Sequence, residues 1–206
     1  MTASFTKKEL AVFQRLESPQ HIQRFLDSLE YSDEERYRSP RSVLCDRKAH
    51  CYDGALFAAA ALERLGFPPL ITEILPNEND DDHIVALFKR QDHWGSVAKS
   101  NFTGLRYREP VYRSLRELMM TYFEPYYNIK GERTMIGYTG ALNLHRFRFL
   151  NWQVNDAAME IIGDALDDAK KFFILSPAMK HRLTPVDTRS VEAGLHGAKQ
   201  SGLYKP

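Results

Sequence analysis

Cysteine is scarce in this chain: among 206 residues only Cys45 and Cys51 carry thiols. Two thiols in one short stretch cannot make a disulfide framework. Their spacing matches no structural zinc site, so no metal is expected and a reducing, cytoplasmic setting is. Long apolar runs are also missing; none approaches the roughly 18 residues that span a bilayer, and no membrane role is expected. The opening Met-Thr-Ala-Ser-Phe-Thr-Lys-Lys-Glu lacks the basic-then-apolar order of a secretory leader, so none is expected. Charge of one sign is not in excess either. Lys plus Arg is 28 and Asp plus Glu is 27, a net charge of +1. A dedicated nucleic-acid binder needs a clear basic excess, so nucleic acid is not an expected partner. What is present is ordinary for a globular protein, with 43% apolar and 27% charged residues. The length suits a single domain.

Two amphipathic helices open the chain. Thr6 caps the first, with Leu10, Phe13 and Leu16 inward; Ser18-Pro19 starts the second, with Ile22, Phe25, Leu26 and Leu29 inward. Residues 31–41 are polar and Pro-punctuated, which reads as a surface connection. Residues 49–66 form an Ala-rich helix, apolar on most sides and stopped by Gly66 with Pro68-Pro69 beyond. Such a helix belongs inside the domain. Leu70–Leu75, His83–Lys89 and His93–Lys99 read as strands, the last two joined by a turn at Arg90-Gln91-Asp92. Residues 100–112 read as loop or edge strand, 115–123 and 155–169 as helices, and 171–175 as a strand. The expected class is α+β, with helical residues 1–41, a core of 42–112 and a mixed extension of 113–206, all in one domain.

Chemistry gathers around Cys51, placed at the first turn of the Ala-rich helix. Free N–H groups and the positive dipole end favour a thiolate there and can donate to a developing oxyanion. His83 heads the strand after the acidic loop and is the expected base. With Gln91 at the hairpin centre, Lys99 faces His83, and Asn101 is the next residue on that face. An Asn oxygen can hold an imidazole N–H and a Lys cannot, which selects Asn101 as the orienting group; a one-residue bulge would present Ser100 instead. Asp82 is expected to point to the opposite face.

These segments resemble the transglutaminase-like superfamily. The residues that carry the likeness are Cys51-Tyr52-Asp53-Gly54-Ala55, the turn Arg64-Leu65-Gly66-Phe67-Pro68, the His-headed strand His83–Phe88 and the return strand with Trp94-Gly95. The likeness implies a papain-like core: a buried nucleophile helix packed on a small antiparallel sheet, here with helical additions at both ends. It also implies a Cys-His-Asp triad for acyl transfer or amide hydrolysis. The chain departs from that pattern at the third member. Ala98, not Asp, stands four residues after Trp94, so Asn101 would be a papain-type substitution.

The expectation is therefore a cysteine-dependent acyl-transfer enzyme acting on a peptide, protein or small amide through Cys51, His83 and Asn101. No cofactor is needed. Four residues are candidates for substrate contact: His50 at the pocket mouth, Trp94, and the basic Lys99 and Arg106. Core packing is the favoured reading of Trp94, and surface ion pairing is at least as open to the two basic residues as substrate contact. Asp53 reads as a helix cap, Cys45 as inert, and the run Glu78–Asp82 as a solvated loop. The rival expectation is an inactive module of the same fold that binds a peptide or protein.

Overall fold

A helix that is apolar on every side is stable only when other elements surround it, and the fold is organised around one. The computed structural model describes residues 4–205. Helices α1 (Lys7–Gln14) and α2 (Pro19–Asp27) are capped by Thr6 and Ser18, with Pro19 as first helical residue of α2. Strand β1 (Glu30–Tyr31) pairs in parallel with β2 (Lys48–Ala49), and α3 (Pro40–Asp46) lies between them. The segment 31–41 is thus not a plain surface connection. Ser39-Pro40 is a helix start rather than a turn, and Arg38 and Ser39 are buried.

The central helix is α4 (Cys51–Arg64), with every residue from Cys51 to Leu62 buried. Gly66, at φ 87°, stops the chain where a left-handed residue is needed. There follow β3 (Leu70–Pro76), β4 (His83–Arg90), β5 (His93–Val97), β6 (Arg108–Tyr112) and α5 (Leu115–Phe123). Then come β7 (Met135–Thr139), β8 (Leu142–Asn143), α6 (Ala158–Asp167), β9 (Lys171–Phe173), α7 (Pro177–Lys180) and α8 (Thr188–Gly194).

Seven strands form one antiparallel sheet in the order β6-β5-β4-β3-β7-β9, with β8 also on β3. The class is α+β. Strands β7 to β9 come from the segment after residue 113, so that segment completes the sheet rather than standing apart from it. Helix α4 packs on the face of Ile71, Ile84, Ala86, Phe88 and Val97. Helix α5 covers the other face, where Val85 and Leu87 meet Leu118, Met119 and Tyr122. Outside α4, Phe13 and Phe25 stack on Phe57 at centroid distances of 5.2 and 4.8 Å. Burial of one such ring contributes about 1.5–3 kcal/mol. No helix among the described residues is long and apolar enough to cross a membrane.

Candidate functional site

Cys51 is the first residue of α4, placed there because His50 caps the helix. The His50 Nδ1 accepts the Tyr52 N–H at 3.2 Å, and the Asp53 carboxylate returns to the His50 N–H at 3.4 Å. Asp53 is fully buried and also accepts the Arg38 N–H at 2.7 Å, so the cap reading of Asp53 matches the structure. Burial pushes its carboxyl up to about 7, against the pull of Arg38 and the two N–H donors. His50 lines a cavity that Cys51 also lines, and burial, with Arg38 nearby, lowers its pKa to about 4.

Cys51 walls two cavities at once. One, of about 610 Å³, includes Tyr37, His50, Tyr52, Asp167 and Tyr204. The other, of about 50 Å³, includes His83, Ser100, Asn101, Leu105 and Tyr126. The thiol and the imidazole therefore share one small cavity, although no hydrogen bond joins them among the described residues. Alternation along β4 puts His83 on the face of Val85 and Leu87, opposite α4. The two residues border the small cavity around the end of the strand rather than across a face.

The ring is oriented by a group that sequence reasoning missed. His83 Nε2 lies 2.8 Å from the Leu105 carbonyl. A carbonyl only accepts, so Nε2 carries the proton and Nδ1 keeps the lone pair. This corrects the assignment of Asn101. The Asn101 side chain lines the same cavity, but its Nδ2 donates to the Lys199 carbonyl and its Oδ1 accepts the Lys199 N–H, both at 2.8 Å. Leu105 lies in a 3-10 turn, Thr103–Leu105, and a backbone carbonyl has no signature in sequence. A carbonyl holds the ring without supplying the negative charge that stabilises an imidazolium. Burial then dominates and lowers the His83 pKa to about 4, with Arg108 adding to the shift.

The hairpin register explains the miss. Gln91 and Asp92 form a two-residue turn with φ of 49° and 61°, and Ala86 pairs with Val97. Continued, that pairing sets Ser100 rather than Lys99 opposite His83. Lys99 turns to the α4 side, where its ammonium donates to the Leu26 and Leu29 carbonyls at 2.8 and 2.7 Å and ties off the end of α2. Burial lowers its pKa to about 8. Lys99 is thus a structural anchor and not a substrate contact of the Cys51 cavities. Arg106 pairs with Asp27 at 3.2 Å and lines a separate cavity with Lys99. Trp94 stands at the far end of the hairpin, opposite Lys89, whose ammonium lies 4.5 Å above its ring. Neither residue borders the Cys51 cavities.

Asp82 is the second surprise. It precedes β4, so strand alternation does not bind it, and it walls both Cys51 cavities. Burial, Asp81 and Asp167 raise its carboxyl to about 7. The thiol lies 3.8 Å from the Asp82 carbonyl. Burial, followed by the carboxylates of Asp82 and Asp81, pushes the Cys51 thiol well above its ordinary range, despite an N–H donated by Ile84. The expected thiolate is therefore not the resting form: in this closed arrangement desolvation outweighs the helix end. Cys45, on the surface near Glu9, is also raised, first by partial burial and then by Glu9.

This gives a first expected outcome. Iodoacetamide reacts with the thiolate, so the logarithm of its rate at Cys51 should climb with unit slope from pH 6 to 9. A plateau beginning below pH 8 would show a depressed thiol pKa instead. Among the described residues no cluster of His, Cys, Asp and Glu suits a metal ion. No protein-family model matches the chain, and no curated protein matches it.

Proposed function

We propose that the protein is a cysteine-dependent acyl-transfer enzyme of transglutaminase-like type, hydrolysing or transferring an amide-bound acyl group. The observation that carries this reading is the shared cavity: a helix-N-terminal thiol and a Nε2-protonated imidazole wall the same space. His83 Nδ1 takes the Cys51 proton as Sγ attacks the substrate carbonyl. The oxygen gains negative charge at the α4 N-terminus, where the positive end of the helix dipole stabilises it. The C–N bond then breaks, and the imidazolium returns its proton to the leaving amine. Water, or a second amine, attacks the thioester with His83 again accepting the proton, and Cys51 is released as thiol.

The second reading is a peptide-binding module on the same scaffold. It is favoured by one observation, the neutral Leu105 carbonyl in the place of a carboxylate. The two part on a trapping experiment. With an activated ester such as p-nitrophenyl acetate, the enzyme reading expects one acyl group on the peptide bearing Cys51, none on that bearing Cys45, and its removal by hydroxylamine. No adduct on a Cys51 that iodoacetamide reaches, or equal adducts on both cysteines, would leave the module.

A further inference from the structure

The chain's own C-terminal segment forms part of the wall of the Cys51 cleft. Gly202 and Tyr204 wall both cavities that Cys51 walls. The segment is fastened at Lys199, whose backbone makes the reciprocal pair with the Asn101 amide. The Lys199 ammonium sits between the carboxylates of Glu30 and Asp33, 2.8 Å from each. From there a 3-10 turn, Gln200–Gly202, leads into an extended Leu203. Gly202 fits because it has no side chain; a Cβ there would stand 2.7 Å from the Tyr31 ring.

Resting on the reading of Cys51 as nucleophile, we propose that Lys199–Tyr204 is an autoinhibitory strap keeping the place of a lysine-led peptide ligand, and that Cys51 reacts only after it leaves. Two features make the strap releasable. Its charge pairs are partly exposed, with Lys199 31% and Glu30 51% accessible at the side chain. Pairs of that kind are weak singly and are screened by salt. Nothing covalent holds the segment over the cleft except its own chain. Because Gly202 and Tyr204 border both cavities that Cys51 borders, departure of the segment would open the space beside the thiol to water.

The test uses the full chain and iodoacetamide, with the exposed Cys45 as internal reference. In Lys199→Met and in Gly202→Val, Cys51 labelling at pH 8 should accelerate at least tenfold relative to Cys45. The first variant removes the strap's charge pairs while keeping the backbone pair with Asn101, and the second forces it off Tyr31. Raising salt from about 50 mM to 500 mM should accelerate wild-type labelling of Cys51 in the same direction. A synthetic peptide, Lys-Gln-Ser-Gly-Leu-Tyr-Lys, added at millimolar concentration should slow Cys51 again in the variants, since a tethered occupant has a millimolar effective concentration. Labelling unchanged in both variants and in salt overturns the strap. Acceleration that the peptide does not reverse overturns the peptide site. Labelling reports uncovering of the thiol whether or not it is catalytic. Fast labelling without an acyl adduct therefore counts against the enzyme reading alone, and an adduct formed as fast in wild type as in the variants counts against the strap alone.

Discussion

Cys51→Ser is expected to lower kcat/KM for amide or ester turnover by at least about 10³-fold while the melting temperature changes little, because the nucleophile acts as one unit with its base. The size follows from the chemistry. A serine hydroxyl is almost as large as the thiol but far harder to ionise, and the Nδ1 of His83 has no carboxylate behind it to strengthen it as a base. Packing changes little, since the hydroxyl is close in size to the thiol and can meet the same carbonyl and backbone N–H. Kinetic assay of the two proteins beside a thermal melt separates the cases. Equal loss of turnover and folding would assign Cys51 a structural role only.

Arg38→Met should cost about 3–5 kcal/mol of stability, the range for stripping one partner from a buried ion pair. Arg38 is 1% exposed and holds together the connection leading to the site. Its guanidinium donates to Ser32 at 3.0 Å, to Asp46 at 3.0 Å and to Glu34, and stands 3.6 Å from the Asp53 carboxylate. Asp53 in turn braces the His50 cap, so the substitution leaves a buried carboxylate without its countercharge in the first turn of the helix that carries Cys51. At this chain length the melting temperature should fall by roughly 6–20 °C. The double variant Arg38→Met with Asp53→Asn should lose less than the two single losses added together, because the uncompensated charge is then gone. Calorimetry that finds less than about 1 kcal/mol for Arg38→Met would refute this role.

The legible parts of the chain were those with a local cause. Thr6, Ser18-Pro19 and Gly66 mark helix ends through backbone chemistry, and α4 declared its burial by being apolar all round. The hairpin was legible but its register was not. The left-handed pair Gln91-Asp92 carries no glycine, so the turn centre was misplaced by half a residue and every facing assignment beyond it moved. That shift removed Lys99 from the site and broke the argument for Asn101. The Leu105 carbonyl was invisible because any residue type supplies one. Helix α3 and strand β7 were missed because a Ser-Pro start looks like a turn, and because a short strand buried on both sides has no clear alternation. The strap depends on contacts between residues far apart in sequence, such as Asn101 with Lys199, which no periodicity reports.

The most direct test of Cys51 and His83 as a working pair is the rate at which the thioester forms on Cys51. It should be measured by rapid quench and mass spectrometry in the Gly202→Val background with His83 intact or replaced by Ala. With the imidazole as base, its loss should slow acylation by about 10²–10⁴-fold at pH 7. Equal rates in the two proteins would show that the ring takes no part and that the shared cavity is not a catalytic one.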